Sequence, residues 1–329
     1  MATTTTTVPS AGPIAGSRSF LSRLRDGDEI AHLITFLFAA SVVLITVLLV
    51  YELWRGSVLP RHQFGFSFFR TSVWDPVFDQ FGALPFIYGT VVTSAVALLI
   101  AVPLGIGAAI FLAELAPLRL SDTLEFFIEL LAAVPSVIYG LLGIFIIVPL
   151  MREVVQPFLK QSLGFLPLFK GPAFGLGLLT AGVVLAIMII PYIISVSREI
   201  LLSVPRDQRE AALALGSTRW ESTWKVVVPF ARTGILGSIF LALARALGET
   251  MAVTMVIGNT PIISASLLSP GDSIASVIAS QFKEATGELY TQSLVELGLV
   301  LFLLTFILNG LARLLIVATS QRGSRMEHA

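Results

Sequence analysis

The chain has 329 residues, of which 55% are hydrophobic and 13% are charged, and its mean hydropathy is +0.89. A soluble domain needs much less apolar surface to close a core, so the composition indicates a membrane protein. The 21 basic and 21 acidic residues balance, which argues against a nucleic-acid partner; there is no cysteine, so disulfides and thiol or zinc–thiolate chemistry are excluded, and three scattered histidines disfavour a metal centre.

Six segments reach the length of about 20 mainly apolar residues that a spanning helix needs, so we expect an all-α membrane protein. Before them, residues 1–32 are polar and begin with a threonine run, which predicts a disordered cytoplasmic tail. We interpret the remainder, 33–329, as one integral transmembrane domain. The predicted spans lie near residues 33–52, 87–113, 126–150, 173–197, 234–258 and 294–318. The first is too long for the apolar part of a signal peptide, so we expect it to be retained.

The distribution of basic residues predicts the orientation. With the N-terminus inside, 13 of the 21 lysines and arginines fall on the cytoplasmic side, seven fall outside, and Arg245 lies in a span. Because cytoplasmic loops carry the excess of basic residues, we expect both termini to be cytoplasmic. The loop between the fourth and fifth spans, residues 198–233, is then cytoplasmic. On the outer side, Asp272 or Ser273 could cap a short helix.

The cytoplasmic loop has strong local signals for two short helices. Pro205 suits the first turn of a helix, and Gly216 suits the left-handed residue that ends one. Thr218 and Glu221 have the spacing of a capping box, which predicts the start of a second helix. We expect Pro229 to stop or kink that second helix.

Small residues in this loop would allow close approach by another surface. Ala211, Ala212 and Gly216 are small, while Glu210 and Arg209 could make charged contacts at the rim. The loop could simply be an amphipathic hairpin that rests on the membrane surface. However, the order Glu-Ala-Ala followed by glycine resembles the cytoplasmic EAA loop of ABC-transporter permeases, which fits into a groove on a separate ATPase subunit. The resemblance implies ATPase coupling through Glu210, Ala211, Ala212 and Gly216.

The chain itself contains no G-x-x-x-x-G-K-[ST] stretch, and none of its lysines follows a glycine. It therefore has no phosphate-cradling loop of the P-loop type. We expect a non-enzymatic subunit without a bound cofactor, with ATP and magnesium held by the partner ATPase.

Two opposite charges interrupt the predicted fifth span. An arginine at the centre of a span costs about 2.5 to 3.5 kcal/mol on insertion scales, so Arg245 needs compensation. Glu249 is one helical turn further on and is expected to pair with it. The pair could merely fix helix register, or Arg245 could offer its guanidinium to an oxyanion in the substrate path while Glu249 holds it. A preceding stripe, Gly234, Ser238 and Ala242, would permit tight helix contact.

Longer stretches sharpen the resemblance. "FGALPFIYGTVVTSAVALLIAVPLGIG" (81–107), "LAAVPSVIYGLLG" (131–143), "RALGETMAVTMVIGN" (245–259) and "SPGDSIASVIASQF" (269–282) resemble the PstC-type permease subunits of bacterial phosphate ABC transporters. The similarity covers nearly everything after residue 60. It implies the type I ABC importer permease fold in the bacterial inner membrane, and a translocation role for Arg245 and Glu249.

The resemblance also implies partners: a second, related permease, two ATPase subunits, and a soluble phosphate-binding protein outside the cytoplasm.

Three alternatives stay open. A permease for sulfate or molybdate would keep the cytoplasmic loop but not the whole stretch that begins at Arg245. An ion-driven carrier would have no use for an ATPase-docking loop. An intramembrane enzyme would need a catalytic constellation, and the spans show no Ser/His, paired-Asp or metal-ligand arrangement.

Overall fold

The computed structural model describes residues 28–326, with side chains for residues 31–314. The chain divides into two compact units, Met1–Glu52 and Leu53–Ala329. Within the described residues, regular structure is helical apart from one isolated antiparallel β-bridge. The predicted all-α class is therefore confirmed.

Eleven helices, numbered in chain order, organise the part of the chain that the structure describes. Six of them (α1, α3, α5, α6, α8 and α11) are long and apolar enough to cross a membrane, which confirms the predicted number of spans. The helices are α1 (Asp28–Arg55), α2 (Val58–Gln63), α3 (Leu84–Leu115), α4 (Leu118–Ala132), α5 (Ser136–Leu163), α6 (Leu178–Leu202), α7 (Arg206–Ala214), α8 (Arg219–Leu247), α9 (Met251–Thr254), α10 (Ile274–Gln281) and α11 (Glu288–Met326).

The first unit contains most of α1. Its candidate membrane span runs over Ala31–Arg55, beside the predicted range 33–52. The helix begins at Asp28, so the last residues of the predicted tail, 1–32, are helical. Residues 1–27 of that tail lie outside the described residues.

The third span differs from its predicted range, 126–150. Helix α4 ends at Ala132, and α5 begins at Ser136 after Pro135, which is extended (φ −58°, ψ 139°). A proline disfavours the helical conformation of the residue before it, and both Val134 and Pro135 lie outside the two helices, so α4 and α5 are separate here. The predicted range was wrong because it was based on hydropathy, and the apolar end of α4 was counted as part of the span that follows.

The fifth span also differs from its predicted range, 234–258. Helix α8 runs over Arg219–Leu247, and the chain leaves the helix at Gly248. Pro229 was expected to stop or kink a helix, but α8 continues through it. A π-helical turn at Thr223–Val227 precedes this proline. The predicted loop 198–233 is correspondingly shorter, because α6 continues to Leu202.

Each π-helical turn within the described residues is followed by a proline two residues after it ends. The turns occupy Phe111–Leu115, Gly143–Ile147, Met151–Val155 and Thr223–Val227, and the prolines are Pro117, Pro149, Pro157 and Pro229. A proline lacks the N–H of an ordinary helical turn, and its ring clashes with the carbonyl four residues earlier. The wider turn moves that carbonyl, so the helix can run on at three of the four sites.

Helix α6 forms the centre of the second unit. It has the largest buried share (61%) of the candidate spans within the described residues. Gly182 packs against Val96 of α3, and Gly234 of α8 packs against Ile200 of α6. The hydroxyl oxygens of Ser197 and Ser238 lie 2.8 Å apart across the α6–α8 contact. The predicted small-residue stripe on α8 therefore faces α6.

A loop that follows α9 closes over the N-terminus of α6. The carbonyl oxygens of Val256, Ser269 and Leu267 accept hydrogen bonds from the N–H groups of residues 177, 178 and 179, over 3.1, 3.2 and 2.8 Å respectively. The first N–H groups of a helix have no partner within it, so this loop supplies what the start of α6 lacks. We call residues 256–273 the capping loop.

The capping loop is also locked to α3. The hydroxyl of Tyr88 donates to the carbonyl of Ser264 over 2.6 Å, and the Ile274 N–H donates to the Thr90 hydroxyl over 3.0 Å. Between them, Gly89 lies directly against the backbone of Asp272. Ser273 caps α10 by accepting from the Ser276 N–H, as predicted.

Replacing Gly89 by alanine should destabilise the protein by about 1 to 3 kcal/mol, because a Cβ there would lie 1.8 Å from the Asp272 carbonyl oxygen. No side-chain rotation relieves a clash with backbone. The measurement is thermal unfolding of the purified protein in detergent. Gly107→Ala on the same helix is the matched control: no heavy atom lies within 4 Å of its added Cβ, and alanine favours helix. Equal melting temperatures for the two variants would contradict the close contact.

Candidate functional site

Helix α7 and the residues after it form the helix–glycine–helix arrangement that the sequence predicts. Helix α7 begins after Pro205, and Gly216 has a φ of +86°, the left-handed conformation that favours glycine. The Thr218 hydroxyl then accepts from the Glu221 N–H while the Glu221 carboxylate accepts from the Thr218 N–H. This capping box fixes the start of α8 directly after the glycine.

The four predicted coupling residues do not all share one surface. Glu210, Ala211 and Gly216 are exposed, and no heavy atom lies within 4 Å of a Cβ built on Gly216. Ala212 is buried, so it faces the interior of the protein and is not available to a partner. The exposed face of α7 and of the residues that follow it is therefore a surface of polar and small residues, with Gly216 at its end.

Exposed apolar side chains, which were not predicted from the sequence, extend this face. Leu213 and Leu215 are exposed beside the glycine, and Trp220 and Trp224 are exposed on the first turns of α8, with ring centroids 5.6 Å apart. Exposed large apolar groups in one region mark an interaction surface. Their position in the sequence, close to Gly216 on both sides, could have identified them. We call Glu210, Ala211, Leu213, Leu215 and Gly216 the docking face.

Arg209 does not lie at the rim of this surface, where it was expected. Its side chain turns inward, and its Nη2 lies 2.8 Å from Oε1 of Glu114, in the last turn of the second span. The same guanidinium donates to the carbonyl oxygens of Leu201 and Val204. Arg209 turns inward because the adjacent bundle offers free backbone carbonyls and a carboxylate. A buried guanidinium needs such acceptors for its N–H donors.

A second ion pair holds the same end of the bundle. Nη1 of Arg198, near the end of α6, lies 2.5 Å from Oε1 of Glu125 on α4. Its Nη2 donates to the Ser121 hydroxyl over 3.2 Å, and that hydroxyl donates to the Leu112 carbonyl. Helices α3, α4 and α6 are thus joined by polar contacts that are mostly out of water.

Arg245 lies in the last turn of α8 rather than at the middle of a helix. Its side chain is exposed in the single chain, and its guanidinium carbon is 5.9 Å from the centroid of the Tyr192 ring of α6. Unpaired carbonyls at a helix C-terminus favour a cation, which helps to compensate an arginine in an apolar span. The face of an aromatic ring adds a weaker attraction.

The expected ion pair between Arg245 and Glu249 is absent from the described side chains. Helix α8 ends at Leu247, so Glu249 is no longer one helical turn further along the same face. Instead, Oε1 of Glu249 accepts a hydrogen bond from the Ala252 N–H, at the start of α9, over 3.2 Å. The pairing prediction is therefore wrong for this conformation, because it assumed a continuous helix. Among the residues that the structure describes, Arg245 makes no hydrogen bond or ion pair through its guanidinium, so its donors are available to another partner.

The loop beyond this break contains one strongly perturbed carboxyl. Asp272 is buried, and its Oδ1 accepts from the Ser273 N–H over 2.8 Å, whereas Oδ2 has no hydrogen-bond partner among the described residues. Burial raises the pKa of Asp272 to about 7, although the neighbouring Ser276 side chain and the Ser273 N–H act in the opposite direction. Among the described residues, no group of three or more His, Cys, Asp or Glu side chains is placed to hold a metal ion.

Comparison with protein families places the chain among transport proteins. Residues 101–320 match the family described as the inner membrane component of binding-protein-dependent transport systems. A phosphate transport system permease protein PstC of Mesorhizobium japonicum is 48% identical over 302 residues, which cover 90% of this chain and 91% of that protein. A protein of the same name from Pasteurella multocida is 50% identical over 295 residues, covering 88% and 92%.

One solved structure supports the fold. It is a bacterial ABC transporter involved in the import of the acidic polysaccharide alginate, and one of its chains superposes with a TM-score of 0.57 at 17% identity. The match covers 89% of this chain and 98% of that chain. At this identity the likeness concerns the fold alone, and it confirms the predicted ABC importer permease architecture.

The buried carboxyl of Asp272 predicts a pH-dependent stability. Its pKa is higher in the folded protein, about 7, than the ordinary value of 3.8, so the folded state binds the proton more tightly. The stabilisation is complete below about pH 4 and is lost as the pH rises through about 7. Asp272→Asn should therefore reduce the fall in melting temperature between about pH 5 and about pH 8.

The measurement is thermal unfolding of both proteins in detergent at the two pH values. Asp122→Asn, on an exposed position of α4, is the matched control and should leave the pH dependence unchanged. An Asp272→Asn variant with the pH dependence of the unaltered protein would contradict the assignment.

Proposed function

Because the chain belongs to the family of binding-protein-dependent transport system inner membrane components, and within it to the PstC-type permeases, we propose that it carries inorganic phosphate inward across the bacterial inner membrane. The six apolar helices are those of a multi-pass membrane protein. The chain is the permease, a non-catalytic subunit, and the ATPase is a separate subunit. The observation that carries the substrate assignment within the structure is the free guanidinium of Arg245.

The surroundings of Arg245 suit a transient oxyanion site. A guanidinium offers donors in a planar fork that matches phosphate oxygens. Its carboxylate neighbour, Glu249, is held by a backbone N–H and does not occupy those donors. The exposed position on α8 leaves room for a substrate or for the surface of a second permease. Release then requires a competing acceptor, and Glu249 is the carboxylate nearest in sequence that could supply it.

The partners follow from the same proposal. A second, related permease completes the substrate path, two ATPase subunits bind ATP with magnesium, and a soluble phosphate-binding protein delivers the substrate. The exposed docking face supports contact with an ATPase on the side of α7. With α7 in the cytoplasm, we propose that both termini lie there as well, as the excess of basic residues predicts.

Two transport alternatives are less favoured. A sulfate or molybdate permease would share the fold, but the relatives at 48% and 50% identity are named as phosphate permeases over most of both chains. An ion-driven carrier would leave the docking face without a role. Phosphate import that requires ATP hydrolysis therefore agrees best with the geometry and with the family.

Arg245→Gln should lower phosphate uptake by about tenfold to a hundredfold, because hydrogen bonds from a charged donor contribute about 1.5 to 3 kcal/mol. The measurement is uptake of labelled phosphate into proteoliposomes that contain the assembled transporter and the binding protein. Arg152→Gln is the matched control, since that arginine contacts only a carboxylate next to it in the sequence among the described ion pairs. Full uptake by Arg245→Gln in an intact complex would refute the substrate-path role.

Gly216→Val should detach the ATPase or abolish uptake. A β-branched residue at φ +86° is strained by about 1 to 2 kcal/mol, and its side chain would project from the docking face. Co-purification of the ATPase and phosphate uptake are both measured. Gly216→Asn is the control, because asparagine tolerates the left-handed conformation, and it should retain more ATPase. Unchanged ATPase binding and uptake in Gly216→Val would rule against docking at this face.

A further inference from the structure

We propose that the ion pair between Glu114 and Arg209 is the link through which movement of α7 reaches the transmembrane bundle. The inference rests on the proposed function, because it assigns a positioning role within ATP-driven transport. It concerns residues that neither the family description nor the names of the relatives assign.

The contact is extensive for a single pair. Nη2 of Arg209 lies 2.8 Å from Oε1 of Glu114, and Nε lies 3.2 and 3.3 Å from Oε1 and Oε2. Nη2 also donates to the Leu201 carbonyl over 2.7 Å, and Nη1 donates to the Val204 carbonyl. One guanidinium therefore joins the end of the second span, the end of α6, and α7.

The pair is also well shielded. The side chains of Arg209 and Glu114 are 20% and 10% exposed, whereas those of Lys225 and Glu221 on α8 are 73% and 43% exposed. Exposed ion pairs are weakened by water and by side-chain freedom. A shielded pair with several hydrogen bonds resists separation more, so a displacement of α7 carries Glu114 and Leu201 with it.

The position of the pair connects the docking face to the substrate path. Glu210 is exposed on α7, and the adjacent Arg209 points into the bundle. Glu114 ends the span that packs most extensively on α6. Helix α6 in turn carries Tyr192, the ring beside Arg245. The contacts are thus continuous from the docking face to the substrate arginine, which is what a mechanical link requires.

The other ion pair at this end serves a different purpose. Arg198 and Glu125 are similarly shielded, at 10% and 25% exposure, but they join α6 to α4, and none of their hydrogen bonds or ion pairs among the described residues reaches α7. This pair holds the bundle together without lying between the docking face and the spans. It provides a matched control for loss of a shielded ion pair as such.

The test uses the complete transporter, with its partner permease, ATPase and phosphate-binding protein, in proteoliposomes. Glu114→Gln should lower phosphate uptake by about tenfold, while ATP hydrolysis and co-purification of the ATPase stay within about twofold of the unaltered protein. Arg209→Lys keeps the charge but loses the fork, so it should lower uptake less and remain folded. Exchange of the two charges, Glu114→Arg with Arg209→Glu, should recover uptake relative to Glu114→Arg alone.

Glu125→Gln should lower thermal stability but leave the ratio of phosphate imported to ATP hydrolysed unchanged. Unchanged ratios in Glu114→Gln and Arg209→Lys would overturn the inference, and so would loss of the ATPase from both variants, because the pair would then serve docking alone. An equal fall of the ratio in Glu125→Gln would overturn it as well. If the unaltered complex imports no phosphate, the proposed function itself fails.

Discussion

The start of α6 imposes the constraint on which the rest of the second unit depends. Its first N–H groups have no partner in their own helix, and the hydrocarbon of a bilayer offers none. The capping loop supplies carbonyl oxygens to residues 177, 178 and 179, and side chains of α3 hold that loop in place. Helix α6 is central, and α3 and α8 pack against it. The hydrogen bonds that the capping loop makes to the N-terminus of α6 therefore hold in place the helix on which the other two depend.

The same demand for partners explains the charges of the bundle. Arg209 satisfies carbonyls at the opposite end of α6 while it binds Glu114. Arg245 lies at the end of α8, where unpaired carbonyls and the Tyr192 ring partly compensate its charge. One arginine is enclosed by acceptors and the other keeps its donors free. The first suits a mechanical contact, and the second suits a substrate that must bind and leave.

Much of the fold could be predicted because the signals were local. Length and hydropathy predict the number of spans, and the identities of Gly216, Thr218 and Glu221 predict the turn before α8. The limits of α5 and α8 could not be predicted in the same way. Hydropathy does not distinguish Pro135, which separates two helices, from Pro229, which lies inside one. Pro103 and Pro191 also lie inside helices, so a proline alone does not mark the end of a span.

The site was predicted less completely, because its decisive contacts are not local. Arg245 and Glu249 stand out in an apolar sequence, but their separation depended on where α8 ends. Glu114 and Arg209 are 95 residues apart, so no spacing rule joins them. The direction of Arg209 could be known only once the carbonyls under α7 were placed. Ala212 illustrates the same limit, since a helix of small residues does not reveal which one faces the bundle.

The four π-helical turns have a consequence for how the spans can bend. Each is followed by a proline, which has no N–H to lose, so a helix that flexes there breaks fewer hydrogen bonds than elsewhere. Two lie at the end of the bundle that holds α7, at Phe111–Leu115 and Thr223–Val227, and two divide α5. Bending is therefore easier at some points along the helices than at others. In α3 and α8 these points lie near α7, where a displacement of α7 would first act on the two helices.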